Sequence, residues 1–234
     1  SSGGSAGREG PIVQIGSALG SALARSFRMS DRRRSTFVAA GAAAGIAAIF
    51  NAPLAGVFFS LEVILRSFTA RGFSTVVISA VTANAVWRVL VGDESVLSAE
   101  VHKLIHPTEL LLYLVLGVVA AVVAVGFVKL LYFVEDQFEL LPVLADLRPA
   151  IGAVAVGIMG AISIELLGSG LSGIDKALAG EFAFRFLLLL LVGKMLATAL
   201  TLGSGGSGGI FSPSLFIGAL LGSAYGEIVN QIFP

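Results

Sequence analysis

Long apolar stretches without charge constrain this chain more than any other feature. Leu110–Val128 is a run of 19 uncharged residues, 35–61 and 149–164 carry no charge, and 186–226 carries one, Lys194. The hydrocarbon core of a bilayer takes about 20 apolar residues of straight helix. No stretch of useful length alternates between apolar and polar residues as a half-buried strand does. The sequence therefore predicts an all-α membrane protein.

Composition excludes several other classes of protein. Charged residues make up 13% of the chain, whereas a soluble domain has about 25%. The 15 basic and 15 acidic side chains cancel, and no cysteine is present. Zero net charge argues against a nucleic-acid partner. The lack of cysteine excludes disulfides, thiol catalysis and zinc–thiolate sites.

The apolar stretches divide into helices, one pair of which is broken by proline. We predict helices over 11–28, 36–50, 53–66, 72–91, 108–134, 148–167, 172–179, 183–202 and 213–232. The break falls at Asn51-Ala52-Pro53, because proline interrupts a helix interior. Broken helices at membrane depth are tolerated only where their backbone is buried in protein or lines a cavity. This pattern indicates a transport pathway.

The distribution of charges predicts the orientation in the membrane. Five arginines between Arg25 and Arg34 favour a cytoplasmic loop. Threading from that loop also places Arg66 and Arg71 inside and the acidic residues Asp93, Glu94 and Glu100 outside. The acidic segment 135–146 then falls inside, which does not conflict, because acidic residues contribute little to the rule. These charges could instead be ordinary solvated faces.

An internal repeat is the most specific signal. Residues 3–24 and 205–226 match at 11 of 22 positions at a constant offset of 202, with Pro11 aligned to Pro213. Each copy has a glycine-rich loop, a proline near the first helical position and a helix of small residues. Repeats in transporters are often inverted in the membrane, with binding sites between them. Helix N-termini offer backbone N–H groups and partial positive charge, so we interpret the repeat as a pathway for a small anion.

Glu9 is the candidate gate of this pathway. A carboxylate in the membrane at a helix N-terminus can occupy the anion site itself, and protonation would release it. The alternative is a carboxylate that merely caps the helix. Arg8 is expected to snorkel or to pair structurally. In the second copy Phe211 replaces Glu9, where its ring could wall the path or simply pack.

Other polar residues give weaker signals. The glycine-rich run 203–209 follows no strand and precedes no Lys-Ser/Thr, so a nucleotide loop is not expected. His102 and His106 have a spacing that metal ligands use, but Pro107 and the lack of a third ligand favour a loop. Paired carboxylates and a Ser/His pair are not found. We therefore expect no enzyme activity, no metal and no cofactor. The remaining charged side chains are read as interfacial: Glu165, Asp175, Lys176, Glu181 and Arg185.

Three motifs resemble those of the CLC family of chloride channels and proton-coupled chloride transporters. Gly-Arg-Glu-Gly-Pro at 7–11 looks like the GREGP motif, 209–213 looks like GxFxP, and 51–56 (NAPLAG) matches a third segment. The resemblance implies an inverted-repeat bundle of tilted and broken helices, a homodimer, and one pore per subunit. It also implies that Glu9 is the gating glutamate. The chloride ligands, mostly backbone N–H groups, would come from Gly7, Arg8, Glu9, Gly10, Gly209, Ile210, Phe211 and Ser212.

The resemblance further implies that the chain is the central part of one CLC-type membrane domain. Residues 1–91 would belong to the first repeat and 108–234 to the second. The family's serine-bearing Gly-Ser-Gly-Ile-Pro segment would precede residue 1, and its chloride-binding tyrosine would follow residue 234. We therefore expect a domain that is incomplete at both termini, in a bacterial inner membrane.

One position departs from the exchangers of the family. Aligned through 51–56, their inner proton-relay glutamate falls on Val63, directly after Glu62. Valine cannot carry a proton, so the sequence favours channel-like passive chloride conduction gated by Glu9. Two alternatives stay open. One is chloride/proton antiport through a non-glutamate inner route, and the other is a truncated fragment that does not conduct.

Overall fold

The computed structural model describes residues 3–92 and 109–232, and these residues form helices without any extended strand. The α-helices are α1 Glu9–Ser26, α2 Asp31–Phe50, α3 Pro53–Phe59, α4 Ala70–Leu90, α5 Glu109–Glu139, α6 Arg148–Ile162, α7 Leu171–Leu178, α8 Phe184–Gly203 and α9 Phe211–Ile232. A π-helical turn, Ser60–Leu65, continues α3, and short 3-10 turns lie at Ala145–Leu147 and Ile164–Leu166. The all-α prediction is confirmed.

Five of these helical segments are long and apolar enough to cross a membrane. They are α4, α5, the segment Ala145–Ile162, α8 and α9, judged by length and composition. Most of their large apolar side chains are exposed, as the outward faces of α5 illustrate with Leu114 and Val122 at 65% and 68% exposure. Helices that expose apolar surface on this scale need lipid or other protein around them.

Several helix boundaries differ from the prediction. Both α1 and α9 begin two residues before their proline, at Glu9 and Phe211. Proline is compatible with the whole first turn, whose N–H groups have no acceptor within the helix, so it does not mark the first residue. α5 runs on to Glu139 as a helix of 31 residues. α6 ends at Ile162, because Ser163 is extended (φ −150°, ψ 120°). The acidic residues and histidines of 93–106 lie outside the described residues.

The predicted break between α2 and α3 is confirmed. α2 ends at Phe50, the capping residue Asn51 adopts the left-handed conformation (φ 49°), and Pro53 opens α3. The Ala52 N–H donates to the Ala47 carbonyl at 3.1 Å. Arg88 of α4 donates from Nε to the Asn51 side-chain oxygen at 3.0 Å and so holds the turn.

The chain divides into two compact units, the first of which is Arg8–Val96. α1 and α2 cross where Gly16 and Gly41 face each other, so closely that a Cβ on either would collide with the carbonyl oxygen of the other. Alanines of α2 and apolar residues of the following helices fill the interior of this unit: Ala39, Ala43, Ala47, Val57, Leu61, Val76 and Ala80. Small side chains thus allow the helix backbones to touch.

The second unit joins Ser1–Gly7 with Leu97–Pro234. Its core lies between α8 and α9, where Leu190, Phe216 and Leu220 are fully buried. Phe127 of α5 and Ile174 of α7 complete the same cluster. This core fixes α9, and therefore the start of α9, within the unit.

Gly41→Ala should destabilise the protein, because the added Cβ overlaps backbone and forces α1 and α2 apart. The expected loss is about 1–3 kcal/mol, the usual cost of overpacking. Gly126→Ala on the exposed face of α5 is the matched control, since its Cβ meets no described atom within 4 Å and alanine favours a helix by about 1 kcal/mol. Thermal denaturation in detergent, followed by size-exclusion chromatography, measures both. Equal melting temperatures for the two variants would contradict the close crossing.

Candidate functional site

The two glycine-rich segments of the repeat pair directly in the second unit. The Gly7 N–H donates to the Gly209 carbonyl at 2.8 Å, and the Gly209 N–H donates to the Gly7 carbonyl at 3.0 Å. This reciprocal pair is an antiparallel bridge of one residue from each segment. The sequence repeat therefore has a structural counterpart, in which equivalent glycines of the two copies bond to each other.

Glycine is required where these segments touch. A Cβ on Gly208 would collide with the Cβ of Ala6, and a Cβ on Gly4 would lie 2.9 Å from the Thr201 methyl carbon. Gly205 has a φ of 95°, in the left-handed region that favours glycine. A side chain at 208 would therefore separate the two segments, and one at 4 would press on α8.

The segment 3–7 is held by one face of α8. The Ser5 N–H donates to Thr201 Oγ1 at 3.0 Å, and Ser5 Oγ lies 3.2 Å from Thr198 Oγ1. Ser5 and Thr198 are fully buried. Buried hydroxyls that pair with each other fix the loop without leaving an orphaned polar group.

Each bridge glycine is followed, two residues later, by the first residue of a helix. Those residues are Glu9 and Phe211, the pair that the repeat aligns. Glu9 is buried at 7% exposure, whereas Arg8 is exposed. Phe211 is 51% exposed and Ser212 is buried. The predicted gate is thus a buried carboxylate in the first turn of a helix, where a negative charge is favourable.

The bridge changes the expected set of anion donors. The N–H groups of Gly7 and Gly209 were both predicted to bind the anion, but each is committed to the other glycine's carbonyl. The ligands expected at 8–10 and 210–212 stay a prediction.

The predicted relay position lies in the π-helical turn after α3. Val63 is 48% exposed, and Glu62 beside it is also exposed. The Ser60 hydroxyl in the same turn is buried without a hydrogen-bond partner. Single π-helical turns occur frequently at functional sites. The role of position 63 stays a prediction.

Sequence reasoning missed the role of Lys194, noting it only as the one charge in 186–226. Its side chain is fully buried, and Nζ donates to the carbonyls of Leu166 at 3.2 Å and Gly168 at 2.9 Å. Nζ also lies 5.1 Å from the centre of the Phe216 ring. A signal was available, because Lys194, Thr198 and Thr201 follow the i, i+4, i+7 spacing of one helical face.

Two of the charged side chains predicted to be interfacial, Glu165 and Lys176, form an ion pair that links the loop between α6 and α7 to α7. Ser163 Oγ donates to Glu165 Oε2 at 2.8 Å, and Lys176 Nζ donates to Glu165 Oε1 at 3.2 Å. The Ser163 hydroxyl first, and the Lys176 ammonium to a lesser degree, lower the pKa of the Glu165 carboxyl. Over 3–92 and 109–232 no three His, Asp or Glu side chains gather as metal ligands.

Known proteins are similar to this sequence over nearly its whole length. The family profile for the voltage gated chloride channel matches residues 1–234. The H(+)/Cl(-) exchange transporter ClcA of Vibrio parahaemolyticus is 36% identical over 235 residues, which are 97% of this chain and 50% of that protein. The ClcA of Salmonella arizonae is 38% identical over 238 residues, with the same coverage.

Two solved structures are similar to the whole chain. A slow cyanobacterial Cl⁻/H⁺ antiporter has a TM-score of 0.86 and 28% identity, covering 100% of this chain and 56% of that one. A CLC-type fluoride/proton antiporter has a TM-score of 0.78 and 28% identity, covering 99% of this chain and 57% of that one. The resemblance drawn from the three motifs is therefore confirmed.

The chain spans about half the length of the curated relatives it matches. Bacterial relatives and five apolar helices identify it as a multi-pass integral protein of the bacterial inner membrane. On the match of the family profile to all 234 residues, this chain belongs to the voltage-gated chloride channel (CLC) family.

Proposed function

We propose that the full-length protein carrying this sequence transports a small anion, with chloride as the first candidate. The observation that carries the proposal is the Gly7–Gly209 pair, which stands two residues before each of two helix starts. Amides and helix dipoles at such ends attract anions. The named activity of the relatives, H(+)/Cl(-) exchange, supports the same choice of substrate.

Backbone amides suit an anion that must leave as well as bind. In the proposed site the donors are backbone amides of 210–212. Neutral N–H groups stabilise the anion without the strong hold of a full cation, which would slow its release. The half-exposed Phe211 ring would line the anion pathway beside these donors. Simple packing of that ring is the alternative.

Glu9 is proposed as the gate. Its carboxylate is buried at the first position of α1, where it can take the place of an anion. Protonation removes the charge that holds it there, so the side chain withdraws and an external anion enters. A gate that works by protonation makes transport sensitive to pH and lets the same carboxyl carry a proton.

The relatives favour proton-coupled exchange over the passive conduction that Val63 suggested. Both curated relatives are named exchangers, and both similar solved structures are antiporters. Exchange in this protein then requires an inner proton route without a glutamate at 63. Glu62, one residue earlier and exposed, is the nearest carboxyl in sequence. Passive conduction stays the second candidate, because Val63 itself cannot titrate.

The proposed working unit is a homodimer in the lipid bilayer, with one pathway per subunit. This follows the pattern implied by the family and involves chloride, lipid and a second copy as the partners. No cofactor is required for the proposed gating, because proton and anion act directly on Glu9 and on backbone amides.

Glu9→Gln should abolish the pH dependence of anion flux, because the amide mimics the protonated carboxyl at every pH. Flux is measured from liposomes containing the full-length protein between about pH 4 and pH 8, a range that spans the ordinary carboxyl pKa. Glu135→Gln, an exposed position near the end of α5, is the control and should keep the wild-type profile. Retention of the wild-type pH profile by Glu9→Gln would remove Glu9 from the mechanism.

Simultaneous recording of anion and proton movement separates exchange from conduction. We expect a chloride gradient to drive protons uphill in the wild type. Chloride efflux without proton movement would establish conduction instead. One similar structure is a chloride/proton antiporter and the other is a fluoride/proton antiporter. Both anions are therefore tested in the same vesicles. Val63→Glu should raise the number of protons moved per anion if position 63 faces the inner route.

A further inference from the structure

We propose that Lys194 is a positioning residue, which acts with Thr198 and Thr201 to fix the glycine-rich segments that lead into the anion site. These three residues form the polar face of α8. The expected effect on anion binding and flux rests on the proposed function. The expected effect on the loops depends only on hydrogen bonds within the second unit.

The polar face of α8 is the exception in an apolar helix. Lys194, Thr198 and Thr201 are spaced i, i+4 and i+7, so they lie on one side of the helix. Each forms a hydrogen bond to a loop. Lys194 binds the carbonyls of the loop between α6 and α7, and the two threonines bind Ser5.

The loop around Lys194 is shaped to surround an ammonium group. Gly168 and Gly170 have φ of 60° and 75°, a conformation that favours glycine. A Cβ on Gly170 would lie 3.3 Å from Lys194 Nζ and 2.9 Å from the Phe216 ring. The two carbonyls and the ring face supply the electron-rich surroundings that a buried cation needs.

Lys194 forms no ion pair within the part of the chain that the structure describes. A buried charge without a carboxylate partner costs stability relative to an apolar side chain of similar size. Simple packing would be served better by leucine or methionine. The arrangement is therefore explained by what the ammonium does to the loop that it binds.

The contacts continue from Lys194 to the bridge between the repeats. The Gly168 carbonyl accepts from Lys194 at 2.9 Å, and the Gly168 N–H donates to the Gly4 carbonyl at 3.0 Å. Gly4 precedes Ser5, which Thr198 and Thr201 hold. Three residues after Gly4 comes Gly7, which bonds to Gly209. The polar face of α8 thus supports the segment 3–7 at Ser5 directly and at Gly4 through Gly168.

Lys194 also contacts α9, the helix that begins at the proposed site. Phe216 lies five residues after Phe211, about 7.5 Å along the helix axis at 1.5 Å per residue. One ammonium therefore touches both the loop that supports segment 3–7 and the helix that carries the donors at 210–212. Loss of this group should let the two shift relative to each other within the unit.

The test compares Lys194→Met, Lys194→Arg and Ser223→Ala in the full-length protein. Lys194→Met keeps an unbranched apolar side chain but removes the donors and the charge. Lys194→Arg keeps both. Ser223→Ala is the matched control, because Ser223 Oγ donates to the Ala177 carbonyl at 3.0 Å in the same unit without contacting the glycine-rich segments. Calorimetric titration with chloride and with fluoride gives the affinity, and liposome flux gives the turnover.

We expect Lys194→Met to bind the anion about tenfold or more weakly, since small displacements of positioned donors have effects of this size. Lys194→Arg should restore the affinity to within about threefold of the wild type, because charge-assisted donation to the loop carbonyls is kept. Ser223→Ala should lower the melting temperature without changing the affinity. Wild-type affinity in folded Lys194→Met, or no recovery in Lys194→Arg, would overturn the proposal.

Hydrogen exchange separates this inference from the proposed function. Lys194→Met should speed amide exchange at Gly7 and Gly209, whereas Ser223→Ala should not. If the wild type binds neither halide but this exchange pattern appears, the positioning role stands and the proposed function fails. If the wild type binds a halide but exchange and affinity are both unchanged in the variant, the positioning role fails. If Lys194→Met does not fold, Thr198→Val replaces it, because this variant removes the buried partner of Ser5. Hydrogen exchange and anion affinity are then measured on Thr198→Val in the same way.

Discussion

The structure of the second unit depends on two backbones that touch without side chains between them. At Gly7 and Gly209, peptide groups from opposite ends of the sequence exchange two hydrogen bonds. A side chain at Gly208 would prevent this approach, because its Cβ would occupy the position of Ala6. That contact lies two residues before the first residue of α9, the helix on which the proposed donors lie. The glycine at 208 is thus a steric requirement rather than a sign of flexibility.

Much of this fold could be predicted from residues whose effect is local. Pro53 predicted the break after α2, and the long uncharged run after Glu109 predicted α5, because each acts through its own backbone or its own hydrophobicity. The repeat predicted that 3–24 and 205–226 share a design. Their pairing through Gly7 and Gly209, and the loss of those two amides as donors, could not be predicted. That bond joins residues 202 positions apart, and nothing in the sequence near either glycine specifies its partner.

Lys194 illustrates a different limit of sequence reasoning. A single charge in an apolar helix indicates burial with a partner, and the partners of Lys194 are backbone carbonyls. Carbonyl partners leave no signature in the sequence. The hydroxyls at Thr198 and Thr201 gave the better signal, because their spacing places them on the lysine's face. An isolated charge becomes interpretable once the polar residues that share its helical face are considered with it.

The π-helical turn at Ser60–Leu65 has a consequence for how this chain is aligned with its relatives. A π-helical turn closes i→i+5 rather than i→i+4 hydrogen bonds, so the side chains within it, Val63 included, point in other directions than α-helical counting gives. Equal sequence position then no longer means equal direction. The direction in which Glu62 and Val63 point therefore depends on the helix type of this turn as well as on their sequence positions.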